Sequence, residues 1–375
     1  MLISLKTSRL EAERMAMGRL MRNSLFLVVA LLLLLPGRSS GQSKVGTSAA
    51  PFLTIGVGSR PQAMGGAFTA MSDDVHALYW NPAGLARLQK SEVMLVHSTW
   101  LADMDFDYVG VAFAMGQMGT LGLSATLLSV GEMEVTTNRY QDGTGLMFDS
   151  YSMAAGASYG YRFYDRFSIG GTVKYIREAI WNESATGMAI DIGTLLITPL
   201  KDIRLGMSIS NFGTKMQMSG RDLTIFYDPD ENRQGNNPNI PAEIKTDEWK
   251  LPLTMRLGFA GELIQTPTNR LTWALDWVVP NDNTEFVNLG GEYAYNEYVF
   301  LRAGFRAMRP GTYKENETDT SSKFRLSEPD NGGGFTFGGG VKLGVATGLT
   351  FVADYAYEGY ELLGSVHKYS LSVQF

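Results

Sequence analysis

The chain has no cysteine among its 375 residues. That excludes a disulfide framework, a thiolate metal site and a cysteine nucleophile. Histidine is nearly as scarce: His76, His97 and His367 are the only three. Histidine-based metal or acid–base chemistry has little to build on, and neither a metal nor a cofactor is expected. Charged residues make up 19% of the chain, 32 basic against 38 acidic, for a formal charge of −6. A nucleic-acid binder would show a basic excess or a basic patch, so no nucleic-acid partner is expected. Low charge with 45% apolar residues also excludes a disordered chain. Long apolar runs are missing after Leu35, so no helix of membrane-spanning length follows it.

Glycine and aromatics are plentiful, with 42 Gly, 17 Tyr and 19 Phe. That is a β-rich profile. The first segment reads as an address. Lys6, Arg9, Arg14, Arg19 and Arg22 precede an unbroken apolar run from Leu25 to Leu35, and small residues follow at Ser39, Ser40 and Gly41. These are the three regions of a secretory signal peptide over residues 1–41. A start at Met15, Met17 or Met21 would shorten its basic part. Cleavage after residue 41 removes six basic and two acidic residues and leaves 26 against 36, a charge of −10. The mature chain is expected to be exported.

From residue 91 onward the dominant pattern has period two, the mark of strands. Tyr369, Leu371, Val373 and Phe375 alternate with Lys368, Ser370, Ser372 and Gln374. The same alternation runs through 349–357, 335–343, 299–306, 271–277 and 253–259, and weaker versions cover 91–99, 106–115, 119–130, 149–160, 166–177, 184–197, 203–212 and 286–295. The sum is about 14 strands of about 10 residues, the length that crosses a bilayer when tilted. Connections after even-numbered strands are short, whereas 131–148, 213–250 and 309–332 are long and follow odd-numbered ones. Outer-membrane barrels sort their loops this way, and a soluble sandwich has no reason to. Small or polar residues face the lumen on this reading, and Arg256, Arg302 and Arg306 line it together with Asp276 and Asp354 as solvated charge. Trp100, Trp181, Trp249, Tyr298 and Tyr360 fall near strand ends, where aromatic girdles sit. The last strand closes on Phe375, and Tyr369, Leu371, Val373 and Phe375 resemble the signal read by the machinery that inserts outer-membrane barrels.

Residues 49–90 break the strand pattern. Gly56, Gly58, Gly65 and Gly66 interrupt any regular element, Asp73 starts a plausible helical turn, and Asn81-Pro82 ends it. A segment this glycine-rich, with few large apolar residues, forms no core of its own. It suits packing inside a polar lumen, where glycines allow close backbone approach. The pieces Ile55-Gly56-Val57-Gly58, Met64-Gly65-Gly66-Ala67-Phe68, Ser72-Asp73-Asp74 and Ala77-Leu78-Tyr79-Trp80-Asn81-Pro82-Ala83-Gly84-Leu85 resemble the N-terminal region of the PorV/PorQ family of bacterial outer-membrane proteins. Asn81-Pro82-Ala83 is also similar to the signature of the wider long-chain fatty-acid transporter superfamily. The resemblance implies that Gly56, Gly58, Gly65, Gly66, Asp73, Asp74, Asn81, Pro82 and Ala83 belong to a hatch folded into a 14-stranded barrel.

Other motifs carry less. Gly156-Ala157-Ser158-Tyr159-Gly160 matches G-x-S-x-G but sits in an alternating strand with no helix after it, so the elbow that the motif needs is missing. Asp228-Pro229-Asp230-Glu231-Asn232 begins like a calcium loop, then has Arg233 where the tight turn needs Gly. No Ser–His–acid set stands out, so no enzyme is expected.

The reading is therefore an all-β protein, a transmembrane antiparallel β-barrel of about 14 strands in the bacterial outer membrane. Residues 1–41 are a signal peptide, 42–90 an N-terminal plug and 91–375 the barrel. Its expected partners are outer-membrane lipid and the barrel-insertion machinery. Two functions stay open. The PorV/PorQ resemblance implies a component of type IX secretion that holds or shuttles exported cargo beside other secretion subunits. The transporter resemblance implies passive movement of hydrophobic small molecules such as fatty acids, with an apolar pocket beneath the external loops.

Overall fold

The computed structural model describes residues 46–200, 203–229, 237, 239–313, 323–327, 334–345, 348–360 and 363–375. The signal peptide, most of the calcium-like motif and the acidic residues of 314–322 lie outside the described residues. Fourteen strands form the wall: β1 Glu92–Thr99, β2 Asp105–Ala114, β3 Thr120–Glu134, β4 Met147–Tyr164, β5 Phe167–Ile180, β6 Glu183–Ile197, β7 Arg204–Gly213, β8 Thr254–Gln265, β9 Asn269–Pro280, β10 Phe286–Tyr295, β11 Val299–Tyr313, β12 Gly334–Gly344, β13 Thr350–Gly359 and β14 Ser365–Gln374. Each pairs antiparallel with its chain neighbour. β14 returns to pair with β1, Leu95 opposite Leu371, so the sheet closes and leaves no edge.

The alternation sets the two faces. On β14, Tyr369 and Leu371 are exposed while Lys368, Ser370 and Ser372 are buried. Leu95, Leu123, Val173, Ile192, Leu301 and Phe337 are among the large side chains on the outside. Such a surface in water would be a very large apolar patch, whereas against lipid tails it is the stable arrangement. The barrel is a transmembrane one.

The long connections 135–146, 214–253 and 314–333 all leave the same end of the barrel. Sorting is incomplete there, because the link between β5 and β6 is only residues 181–182. That hairpin extends the wall instead: β5 has 14 residues and β6 has 15, beside 18 in the neighbouring β4 and against 8 in β1. Short ladders ornament the same end, with Thr224–Tyr227 paired to Ile240–Glu243 and Lys323–Ser327 extending β11.

Residues 49–90 run lengthwise through the lumen. Ala49 N–H donates to Lys250 O (2.8 Å) at the long-loop end. The segment then forms a 3-10 turn at Pro51–Thr54, helix α1 at Ser59–Ala63, helix α2 at Ala77–Trp80 and a 3-10 helix at Pro82–Arg87, and leaves at the short-turn end into β1. Nearly all of it from Phe52 to Ala86 is buried. The lumen proves to be half apolar. Phe52, Leu53, Val75 and Leu78 pack on Met94, Val96, Phe106 and Ile176 of the wall, and a second cluster joins Met64, Phe68, Met71 and Trp80 to Ala260 and Ala274. The segment forms no core of its own, as expected, but it completes one that the wall half supplies.

Candidate functional site

The plug is tied together at Asn81. Its side-chain Oδ1 accepts from Ala83 N–H (3.2 Å) and starts the next helix, with Pro82 at the first position, where its missing N–H costs nothing. Its Nδ2 donates to Thr69 O (2.8 Å) within the plug and to Thr194 O (3.1 Å) on the wall. One amide therefore fixes two plug segments and their register against β6. The wall makes room with glycine. A Cβ on Gly193 would lie 2.0 Å from Asn81 Oδ1, and one on Gly170 would lie 2.3 Å from Pro82 C. At the opposite wall a Cβ on Gly304 would lie 2.2 Å from Gly65 N. Gly65 itself has φ +68° and would meet the carbonyls of Leu289 and Phe305 at 2.8 Å with any side chain. Backbone meets backbone at Gly170, Gly304 and Gly65, and at Gly193 the wall backbone meets the Asn81 amide.

Charge fastens the rest. Arg60 on α1 binds Asp73 (2.7 Å), Asp74 (2.6 Å) and the wall carboxylate Glu292 (2.9 Å). Glu292 also receives Arg302 (2.7 Å) and Arg270 (3.1 Å), and Arg302 continues to Asp354 (2.6 Å). Asp276 Oδ2 accepts Phe68 N–H (3.0 Å), Thr69 N–H (2.9 Å) and Thr69 Oγ1–H (2.6 Å). Lys368 Nζ donates to Gly56 O (2.6 Å). Burial by itself would raise the Asp74 carboxyl, but His76 and Arg60 beside it outweigh burial and hold it well below the usual carboxylate range. Burial likewise opposes the Arg60 charge, and Asp73, Glu292 and Asp74 together more than restore it.

Above the plug, at the long-loop end, lies a vestibule of about 320 Å³. Tyr79 and Trp80 of the plug, Trp100, Phe286 and Tyr360 supply its aromatic lining, with Arg256, Asn288 and Arg306 among them. Arg256 lies 5.5 Å from the Trp80 ring and 5.9 Å from that of Tyr79, and Arg306 lies 4.4 Å from Tyr360. Burial and the Glu358 carboxylate push the Tyr360 hydroxyl up, so it stays protonated. Ile55 and Tyr79 line both this vestibule and a narrow crevice of about 30 Å³ between plug and wall. Tyr79 O–H donates to Leu53 O (3.0 Å) and bars the crevice. On the lipid side, a groove of about 820 Å³ runs over β1–β4 and β13–β14 between Leu95, Val109, Leu127, Tyr369 and Leu371. Tyr108, Thr126 and Ala154 line both crevice and groove.

Several sequence expectations change here. The lumen charges Arg256, Arg302, Arg306, Asp276 and Asp354 do face inward, but they are not solvated: none exposes more than 8% except Arg306, whose side chain exposes 18%. The plug displaces the water that would have bathed them. Asp73 starts no helix. Helix α2 begins after His76, and Asp74 Oδ1 accepts from His76 N–H (2.9 Å) and meets its Nδ1 (2.8 Å), leaving Asp73 to Arg60. Trp100 and Tyr360 are not girdle residues. They meet edge to face at 5.3 Å over the lumen, drawn inward by Lys368 and Arg306. Trp181, Trp249 and Tyr298 are exposed.

Gly56, Gly58, Gly66 and Ala83 all lie in the buried plug. Tyr369, Leu371, Val373 and Phe375 lie on β14 and its end, where Phe375 N–H donates to Ser91 O (2.9 Å). Barrel closure brings His97 and His367, remote in sequence, onto paired strands. Ser158 sits mid-strand, bonded to Thr172 Oγ1 (2.8 Å), with no elbow. Sequence reasoning missed Arg60, Glu292, Glu358 and Lys368. Glu292 and Glu358 stand at inward positions of their strands, which is the signal that would have found them.

An uncharacterised protein family (UPF0164) matches residues 31–190. No curated protein matches the chain. Among solved structures, a Pseudomonas aeruginosa FadL homologue is similar at 13% identity, over 83% of this chain and 96% of that one, with a TM-score of 0.48. The monoaromatic hydrocarbon channel CymD gives 12%, 85%, 97% and 0.49. The Pseudomonas putida toluene transporter TodX gives 13%, 84%, 96% and 0.49. The likeness to PorV/PorQ stands on residues 49–90 alone.

Proposed function

We propose that this chain is a non-enzymatic passage for small hydrophobic molecules across the bacterial outer membrane, with residues 49–90 as its gate. One observation carries the reading. Vestibule, crevice and lipid-side groove form a chain of spaces in which each shares lining residues with the next: Ile55 and Tyr79, then Tyr108, Thr126 and Ala154. The route begins at aromatic rings and ends against lipid, so an apolar solute would leave water progressively and never need to cross the charged short-turn end. The route has two barriers: Tyr79, which bars the crevice, and the wall itself, where Tyr108, Thr126 and Ala154 stand in register on the paired strands β2, β3 and β4 and must part for a solute to reach the groove. Displacing the tyrosine opens the first of these without unseating a plug held by Arg60, Asp276 and Lys368.

The secretion reading rests on resemblance, and no geometric feature of the lumen favours it over passage. The test is uptake of a fluorescent apolar probe into proteoliposomes. Wild-type protein should accelerate uptake, and Ala154→Trp, which fills the shared wall, should cut the acceleration at least tenfold. Unchanged flux in a folded Ala154→Trp barrel would refute the route. Affinity purification from cross-linked outer membranes supplies the contrast. Stoichiometric recovery of a large translocon or of exported cargo would replace passage with secretion.

A further inference from the structure

Arg256 stands apart from the other lumen arginines. Arg60, Arg270, Arg302 and Arg306 each hold a carboxylate. Among the described residues, none lies within ion-pair distance of Arg256, although only 8% of the residue is exposed. Nη1 donates to Ser210 Oγ (3.1 Å), and the guanidinium sits beside the Trp80 and Tyr79 rings at the vestibule floor. Asp276 acts on it electrostatically, but from beyond ion-pair distance and with its Oδ2 committed to Phe68 and Thr69. A buried cation without a direct ion pair carries a desolvation cost that an arriving anion relieves. The other charges of the vestibule are engaged. Arg306 binds Glu358 and Tyr360, and Asp282 accepts from Ser48 Oγ–H (2.6 Å).

We propose that the vestibule binds a small aromatic monocarboxylate, its anion paired with Arg256 and its ring set among Trp80, Trp100 and Tyr360. A single cation without a direct ion pair calls for a single negative charge. A planar guanidinium fork fits a carboxylate, and the flanking rings fit a flat apolar body. The volume of about 320 Å³ is at the small end of ligand sites and is floored by the seated plug, so it takes one or two rings rather than an extended chain. The proposal rests on the passage reading only in supposing that the bound molecule is cargo. Binding is a separate property with a separate test.

That test is calorimetric titration of the purified full-length barrel in detergent with 1-naphthoate, its neutral isostere 1-naphthamide, and octanoate. Naphthoate should bind at least tenfold more tightly than naphthamide and more tightly than octanoate. Arg256→Gln should abolish the preference for acid over amide and leave amide affinity within twofold, and Arg256→Lys should retain part of it. Heat-modifiable mobility on gels confirms that each variant is folded, and the wild-type comparison needs no variant. Equal binding of acid and amide, no binding of either, tighter binding of octanoate, or a preference that survives Arg256→Gln would each overturn the proposal. Flux into proteoliposomes separates the two readings. Acid-selective binding without flux sinks the passage and leaves the ligand class standing. Flux without acid selectivity does the reverse.

Discussion

Replacing Arg60 by methionine tests whether the plug is held by charge. Methionine keeps an apolar stem against Phe68, whose ring lies 5.2 Å from the Arg60 guanidinium, and removes only the ionic head. Breaking a buried ion pair costs about 3–5 kcal/mol, because the surviving partner is stranded. Here the strands of the network limit the damage. Glu292 keeps Arg302 and Arg270, and Asp74 keeps His76, while Asp73 is already 41% exposed. The lower end, about 3 kcal/mol, is therefore appropriate. At about 1.4 kcal/mol per factor of ten, the unseated population of residues 59–80 should rise about 100-fold.

Hydrogen exchange followed by peptide mass spectrometry reads that population directly, since amides of α1 and α2 exchange only when the segment opens. Exchange in 59–80 should accelerate by about two orders of magnitude, with β9 and β10 amides unchanged. Acceleration of less than about threefold would show that glycine seating and apolar packing hold the plug without Arg60, and the electrostatic argument would fail.

Other consequences are simpler to check. Gly304→Ala places a methyl 2.2 Å from both Gly65 N and Met64 C of the plug backbone, so folded yield in a heat-modifiability assay should collapse, whereas Gly291→Ala, whose nearest atom is 3.8 Å away, should be silent. Deleting Phe375 removes the residue whose N–H closes onto Ser91 O and should impair assembly in cells, while Ser158→Ala should cost about 1 kcal/mol, one hydroxyl pair, and leave assembly intact. The Asp74 carboxyl is depressed in the folded state, so its contribution is complete above the unfolded value of about 4 and is lost only as pH falls below it. Protection of residues 73–80 should hold from neutral pH to about 5 and decline below about 4; loss between pH 8 and 6 would contradict the assignment.

Much of the barrel was legible because its rule is local. Each strand needs only alternation, and alternation survives without knowledge of any partner, so all fourteen strands stand where they were expected, with β8 and β11 running six and seven residues past their expected ends at 259 and 306. The hatch residues were legible for a different reason. Gly65 holds a positive φ that few other residues tolerate, Asn81 caps the following 3-10 helix with its side chain, and Pro82 takes that helix's first position, and such restricted roles leave a mark in the sequence. The pairing of charges was not legible. Arg302 could be placed inward by periodicity, but nothing along the chain says that Glu292 and Asp354 flank it.

The sequence by itself determined that a strand wall with one apolar face would form and that residues 49–90 could not be part of it. Those properties follow from side-chain period and glycine content, which are carried by neighbours in the chain. Only the tertiary structure decided where the plug seats, which wall glycines admit its backbone, that Trp100 and Tyr360 turn inward, and that Arg256 is left without a direct ion pair. Each of these depends on closing the sheet. Closure brings residues more than 200 positions apart, such as Arg60 and Glu292, into a shared low-dielectric space where their charges must be matched.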